Sequence, residues 1–505
     1  MLKLVIKYLQ KSNYSSKIVE FEEFYQSHPN YPSLLAITDG LNYLNIENIA
    51  ASIPFEHFDE LTNSFIAELK IDNPSLYLLT KGENEFTIED EEGKVKSLNR
   101  ADLEKYWSGI VLLVEENEKE EISSKWKSSS YMLPIALILL CLLSISTKLN
   151  NHLHTTFLLI AAIGVFISKE ILETFFNNKN NTDSKFCSIS EEFSCDSIIK
   201  SKSYSFSKYI EFVDLPVIFF SFSFISLLFG LEMEYLIGLA SVLSLPVLFY
   251  SIYLQKFSLK KWCLLCLLIS VLMLSNAVLF LVNYRMFSLD YHQVINAVGL
   301  LLLIVPLWFL LKKWIEKFNK NEVELNKLLR FKRSEDVFQK TVETINNVES
   351  FNALDKMIIG DENAPNVISL FLSPSCPHCH TAYKDAKELL MKYPNKLKLA
   401  ICYNLNTNNV DNPYLDIARS VLNLYNNGKN VIQALDDWHI ERLNIDDWKA
   451  KWKKTDAFTK ENNQLEMYFQ WCLENEFNYA PVKIFNNHLI EQQYNINELF
   501  YFFKE

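Results

Sequence analysis

The chain has 505 residues, too many for one hydrophobic core, so several domains are expected. Hydrophobic residues make up 49% and aromatics 14%, high values for a wholly water-soluble protein, while only ten glycines argue against a Gly-rich or low-complexity chain. A formal net charge of -12 gives no electrostatic reason to expect nucleic acid, and nine cysteines with none before Cys141 do not read as a disulfide-stapled miniprotein.

Met1 to Gln10 is too short and too interrupted by lysine to read as a signal peptide. Residues 1–120 have the pattern of a mixed α/β domain. His28, Pro29, Asn30, Tyr31 and Pro32 form a turn, and Ser33 is then the expected N-cap of a helix through Leu41. Strand-like pieces cover 75–80 and 85–89, Gly93 marks a turn, and 94–98 and 109–115 return as strands.

Three stretches of this domain, Tyr31-Pro-Ser-Leu-Leu-Ala-Ile-Thr-Asp39, Glu85-Phe86 before Asp90, and Tyr106-Trp-Ser-Gly-Ile110, resemble the papain-like peptidase domain of bacteriocin exporters. That family needs a cysteine at its first helix and a histidine just before the matching phenylalanine. Here the domain has no cysteine, and Glu85 stands where the histidine would be, so thiolate–imidazole catalysis is impossible. The resemblance implies an inactive peptidase fold kept to bind peptides. A generic α/β domain packing on its neighbours is the other reading.

From 131 onward the composition changes abruptly. Six apolar runs follow, at 131–145, 154–171, 212–231, 235–254, 263–282 and 294–311. Each approaches or meets the roughly 20 residues that span a bilayer. Pro134, Pro216, Pro246 and Pro306 are tolerable where neighbouring helices repair the broken bonds. A multi-pass helical bundle in a lipid bilayer is expected.

The polar loop between the second and third runs holds Cys187 and Cys195, and Trp262-Cys263-Leu-Leu-Cys266 opens the fifth. A Cys-x-x-Cys pair is the smallest spacing that closes a reversible disulfide. At the water–lipid boundary it could pass electrons between a soluble protein and a hydrophobic carrier. A structural disulfide or half of a zinc site fits the pair equally well. The seven residues between Cys187 and Cys195 favour two mobile thiols over a zinc knuckle. Two runs separate the loop from Cys263, so both pairs fall on one face of the bundle.

A Cys-x7-Cys loop, two spans, then Cys-x-x-Cys opening another span resembles the vitamin K epoxide reductase family. The resemblance covers about 154–311 and leaves an extra span at 131–150 outside a core of 151–315. It implies a four-helix bundle around a membrane quinone, menaquinone or ubiquinone. Carried over, Cys187 would meet the outside reductant, Cys195 would exchange with Cys263, and Cys266 would face the quinone. Ser201, six residues after Cys195, matches the serine or threonine that the family places there. The animal enzymes also have an asparagine on the following span and a tyrosine four residues after the last cysteine. Here the chain reads Leu215, Pro216, Val217 and then Ser270, so quinone reduction is retained as an expectation and epoxide reduction is not.

A charged, helical connector is expected over 316–352 and a thioredoxin-like α/β domain over 353–505. Val367 to Leu372 reads as a strand, followed by Ser373-Pro-Ser-Cys376-Pro-His-Cys379 and a helix from about His380 to Met391. In that arrangement the helix N-terminus lowers the pKa of the first thiol, and His378 should stabilise the Cys376 thiolate further. Cys376 would be the attacking thiol and Cys379 the buried resolving one. Ala480-Pro481 fits the cis-proline that this fold sets opposite its active site to hold an extended substrate. The motif resembles DsbA-type oxidases, and about 410–475 resembles their helical insertion. Cys141, Cys402 and Cys472 read as buried small hydrophobes. No metal site is expected.

Together the three pairs, Cys187–Cys195, Cys263–Cys266 and Cys376–Cys379, make a relay from reduced secreted proteins or peptides to quinone. The expected place is a bacterial inner membrane with the soluble domains periplasmic, because disulfide formation needs an oxidising compartment. Lysine placement opposes this: Lys125, Lys127, Lys200, Lys202, Lys208, Lys256, Lys260, Lys261, Lys312, Lys313 and Lys317 lie on the cysteine side, against Lys148 and Arg285. The rival readings are a membrane-anchored peptide-binding protein with structural disulfides and a thioredoxin-type reductase or isomerase running the relay in reverse.

Overall fold

The computed structural model describes residues 1–117, 152–176, 210–259, 262–283, 285 and 290–504, apart from 72, 83, 84, 92, 410, 456, 491 and 492. It divides into two compact units, Met1–Asn326 and Lys327–Glu505.

The first unit begins with three helices, α1 (Leu2–Lys11), α2 (Ile18–Ser27) and α3 (Leu34–Tyr43). Ser33 caps α3 as expected, its hydroxyl oxygen accepting the Ala36 N–H at 3.1 Å. A sheet follows, built from β1 (Asn48–Ser52), β2 (Ser64–Lys70), β3 (Pro74–Lys81), β4 (Phe86–Glu89), β5 (Val95–Leu98) and, after the short helix α4 (Arg100–Tyr106), β6 (Trp107–Val114). The strand order is β1-β6-β2-β3-β4-β5, antiparallel throughout. The strands expected at 75–80, 85–89, 94–98 and 109–115 are β3 to β6. Neither β1 and β2 nor the first two helices were expected. The inner strand β2 buries Phe65, Ile66, Ala67 and Leu69, so it lacks the in–out alternation by which a half-exposed strand is recognised. Tyr8 of α1 ties the helix to the sheet, its hydroxyl accepting the Val114 N–H at 2.9 Å.

The membrane segment contributes α5 (His152–Phe176), α6 (Asp214–Leu228), α7 (Glu234–Leu243) running on into α8 (Leu245–Tyr253), α9 (Leu264–Asn283) and α10 (Tyr291–Lys332). Among the described residues four helices are long and apolar enough to cross a membrane, with α6 shorter. The run at 131–145 lies outside the described residues. Helix α10 does not stop near 311 but runs on to Lys332, 42 residues in all. The reason is local: from Lys312 to Lys332 the chain is rich in Lys, Glu, Asn and Leu and has no glycine or proline, so nothing interrupts the ladder. Close helix contact rests on two glycines. A side chain at Gly164 of α5 would overlap the Phe220 ring of α6, and a Cβ at Gly238 of α7 would lie 2.5 Å from that of Phe280 on α9.

The second unit opens with α11 (Glu335–Thr341), β7 (Glu343–Thr344) and α12 (Val348–Asn352), then β8 (Met357–Gly360) and β9 (Asn366–Leu372). Helix α13 (Pro377–Lys392) carries the chain across to β10 (Leu397–Tyr403), parallel to β9. Four helices, α14 (Leu415–Asn426), α15 (Val431–His439), α16 (Ile445–Trp452) and α17 (Thr459–Glu474), form the expected insertion before β11 (Val482–Phe485) and β12 (His488–Leu489). The strand order β7-β12-β11-β9-β10-β8 puts β9 and β10 inside the sheet, each with five consecutive buried residues. Strands covered on both faces have this continuous apolar pattern.

Candidate active site: two Cys-x-x-Cys pairs

In the second unit Cys376 is the N-cap of α13, and Pro377 occupies the first turn, where its missing N–H costs nothing. The Cys376 N–H donates to the Ser373 carbonyl at 3.0 Å, and the Cys379 N–H to the Cys376 carbonyl at 3.1 Å, closing the turn that brings the cysteines together. Cys379 is fully buried, and its sulfur accepts the Ser373 N–H at 3.3 Å. Burial pushes the Cys379 thiol far above the ordinary thiol range. Cys376 is half-buried, with its thiol donating to the Ala480 carbonyl at 3.2 Å. That carbonyl belongs to a cis Ala480–Pro481 bond. Asn404, just past β10, holds the approach to it by donating to the carbonyls of Phe477 (2.9 Å) and Tyr479 (3.0 Å). An attacking thiol that is reachable, a resolving thiol that is not, and a backbone carbonyl beside the first are what disulfide exchange needs. His378 is exposed between the cysteines.

The membrane pair is built by a different local device. Cys263 precedes α9, and its sulfur accepts the Cys266 N–H at 3.3 Å, so the thiol serves as the helix cap. Its own N–H donates to the side chain of Gln255 at 3.0 Å. Cys263 is buried within the described residues, whereas Cys266 is half-buried. Cys266 and Ser270 lie in the wall of a cavity of about 520 Å³ whose other lining residues, among them Ile171, Phe220, Met273, Ala297 and Leu301, are almost all apolar. The Ser270 hydroxyl donates to the Cys266 carbonyl at 2.9 Å, and that of Ser244 to the Ser241 carbonyl at 2.7 Å. Apolar walls with serine protons committed to their own helices fit a flat, hydrophobic quinone held mainly by shape.

Cys187, Cys195, Ser201 and Cys141 lie outside the described residues. Cys402 and Cys472 are fully buried; burial pushes the Cys402 thiol far up and the Cys472 thiol to about 12. Sequence reasoning did not foresee two buried polar knots in the bundle. Asp214 accepts from Trp308 (3.0 Å) and Lys312 (2.9 Å), and Nδ1 of His154 lies 2.5 Å from a carboxylate oxygen of Glu234. Ionisable residues inside apolar runs were the available signal.

These sites make the chain a membrane thiol–disulfide oxidoreductase. Comparison with known proteins agrees: residues 155–281 match the vitamin K epoxide reductase family and residues 352–498 a thioredoxin family, so the chain carries a domain of each. Among solved structures, a periplasmic thioredoxin-like protein from Salmonella enterica serovar Typhimurium is 16% identical, the match covering 31% of this chain and 94% of that one, with a TM-score of 0.26. BdbD from Bacillus subtilis is 12% identical over 31% and 93%, with a TM-score of 0.25. The thiol-disulfide exchange protein alpha-DsbA2 from Wolbachia pipientis is 19% identical over 30% and 87%, also at 0.25. No curated protein matches the chain.

Proposed function

We propose that the chain generates disulfides and passes the electrons to a membrane quinone. The observation that carries this reading is Cys266, second cysteine of a Cys-x-x-Cys pair, in the wall of an apolar cavity. A client dithiol would be oxidised by a Cys376–Cys379 disulfide: the client thiolate attacks Cys376, Cys379 leaves as thiolate, and the second client thiol then attacks the mixed disulfide. The reduced pair would pass two electrons to the Cys187–Cys195 disulfide, and that pair to Cys263–Cys266. The quinone, when bound, supplies a two-electron, two-proton acceptor that leaves as quinol. Cys266 would orient toward it, the apolar walls would exclude water, and Ser201 would lie near the loop pair. The cis Ala480–Pro481 segment and His378 would hold an extended client segment beside Cys376.

The test uses the full-length protein in lipid nanodiscs with a reduced dithiol peptide and either ubiquinone-1 or menadione, following quinone absorbance. Turnover with at least one quinone, abolished by Cys266→Ser, is expected. Loss of no absorbance with either quinone by the wild-type protein would sink the reading.

The soluble domains are placed on the oxidising side of a bacterial inner membrane. The lysine bias favours a second reading, in which the relay faces the cytoplasm and runs as a reductase. Lys312 weakens that bias, because its charge is paired with Asp214 and Glu211. A periplasm-dependent reporter after Glu505 should be active and one near Arg285 inactive; the opposite pattern selects the reductase. The N-terminal domain is read as an inactive papain-like peptidase that binds peptides, supported by the absence of any cysteine before Cys141. Cleavage of a double-glycine leader by the full-length protein would overturn this.

A further inference from the structure

The active-site helix carries a second side-chain pair that disulfide exchange leaves unused. His380, next to Cys379, and His439, the last residue of α15, face each other with their Nδ1 atoms 3.0 Å apart and ring centroids 5.0 Å apart. His439 is only 2% exposed, and its Nε2 is buried with no hydrogen-bond partner among the described residues. His380 is half-buried and one helical turn from Cys376. The two helices are held in register around this contact. Tyr383 donates to Asp436 at 3.0 Å, Lys387 to the other oxygen of Asp436 at 2.5 Å, and the Trp438 indole to the Pro374 carbonyl at 3.0 Å.

Two imidazoles meeting through their Nδ1 atoms must hold one proton between them, since two lone pairs repel and two N–H groups collide. If His380 supplied that proton, His439 would carry its own on Nε2, as a buried donor with no acceptor. Orphaned buried N–H groups are the rarer state. If His439 supplies it, the bare nitrogen is buried instead, and the proton of His380 sits on Nε2, on the far side of its ring. We propose that His439 is a positioning residue for the redox pair: it fixes His380 as the Nε2–H tautomer and keeps a second positive charge off the turn that carries Cys376.

The charge follows from the geometry. Protonating His380 would drive the His439 proton to the orphaned Nε2, and protonating His439 would bury a cation. Burial accordingly holds His439 down at about 3, with His380 adding to the effect. Burial, with Arg442 nearby, also holds His380 below the usual imidazole range. The carboxylates of α15 give no relief. Asp436 is committed to Tyr383 and Lys387, and Asp437 to Lys451 (2.5 Å), Trp452 (2.8 Å) and Gln433 (3.1 Å). From α13 itself the other titratable side chains close in sequence are His378, the two thiols and Lys384, one turn beyond His380, exposed and 3.9 Å from Glu388. His380 would therefore put no charge beside Cys376 that appears only in acid. The inference requires only that Cys376 is the attacking thiol, not that quinone is the acceptor.

The test measures the rate at which iodoacetamide alkylates Cys376 in the reduced full-length protein, between about pH 4.5 and 9, by peptide mass spectrometry. The wild-type profile should show one inflection, that of the thiol. His439→Leu removes the ring whose proton would have to move to the orphaned Nε2, so His380 should titrate higher than in wild type, with burial and Arg442 still holding it below the ordinary imidazole range, and add a second inflection. In acid, alkylation of that variant should be about threefold faster, because a cation one helical turn away then attracts the thiolate. His439→Asn, whose amide can still donate to His380, should restore the single inflection. A His439→Leu profile like that of wild type, with or without lost stability, overturns the proposal. If that variant does not fold, His380→Gln decides: an unchanged profile is expected, and a profile that loses an inflection or shifts overturns it.

Discussion

The Lys312 ammonium lies 2.9 Å from both carboxylate oxygens of Asp214, a residue with no solvent exposure at the start of α6. Trp308, one turn earlier on α10, donates to the same carboxylate, and the Glu211 N–H donates to it as well. Both carboxylate oxygens of Asp214 are thereby used. Helix α10 lies beyond the family match at 155–281, yet it contributes Ala297 and Leu301 to the cavity wall. The knot pins this additional helix to the core.

Removing one partner should therefore be worse than removing both. Lys312→Leu alone leaves the fully buried Asp214 carboxylate without a counter-charge and should cost about 3–5 kcal/mol. Asp214→Leu combined with Lys312→Leu should recover most of that loss, because neither charge is then stranded. Thermal unfolding of the detergent-solubilised protein checks the order. A double variant less stable than Lys312→Leu would contradict the argument.

Glu498 gives the second unit an acid-sensitive contact. Burial tends to raise its pKa, but Lys332 at 2.6 Å and Arg333 at 3.2 Å prevail and hold it below the usual carboxyl range. A depressed folded-state pKa contributes stability above the unfolded value of about 4.3, and that stability is lost as pH falls through the folded pKa. Protection of the Ile496–Phe502 amides, taken relative to their intrinsic exchange rates at each pH, should fall below about pH 4 in wild type. Glu498→Gln should lower protection already at pH 7, by roughly 1–3 kcal/mol, and flatten the acid response. Equal acid sensitivity in both proteins would exclude this origin.

The parts of the fold legible in the sequence were those whose local chemistry repeats their final role. Ser33 before an apolar helix, Cys376-Pro377 at a helix start and Ala480-Pro481 before a strand each name their own geometry. Continuous apolar runs likewise announced the bundle. What stayed hidden depends on partners distant in sequence. Gln255 as the acceptor for the Cys263 N–H, Asp214 with Lys312 98 residues away, and His439 against His380 have no local pattern. Burial of Cys263 was hidden for the same reason, since a cysteine at a span boundary reads as accessible until its neighbours are placed.

Thiol reactivity should follow burial. Under native conditions iodoacetamide should label reduced Cys376 well before Cys379, Cys402 or Cys472, whose thiols burial keeps protonated. Labelling of those three should wait for unfolding. Cys402→Ser and Cys472→Ser should leave electron flow intact, with Cys472→Ser costing about 1–3 kcal/mol because a buried hydroxyl replaces a soft apolar thiol. Peptide-resolved mass spectrometry over a time course provides the measurement. Early labelling of Cys402 would show that strand β10 opens in the native state.

The order of the relay can be read from the disulfides that accumulate when a resolving thiol is missing. A mixed disulfide normally breaks when the neighbouring cysteine attacks it. With Cys266→Ser, no thiol remains beside Cys263 to attack, so quinone reduction should stop and a Cys195–Cys263 crosslink should build up. With Cys379→Ser, Cys376 should be caught with a client or with Cys187. The burial of Cys263 adds a condition, since the loop must reach a thiol enclosed by its neighbours and Gln255. Gln255→Ala, which frees the Cys263 N–H, should change the rate of crosslinking without changing which residues are linked. Peptide mapping of the non-reduced protein distinguishes the pairs. If Cys266→Ser still reduces quinone at the expense of substrate thiols, or if Cys263 is captured by Cys376 instead of Cys195, the loop pair is not the intermediate carrier.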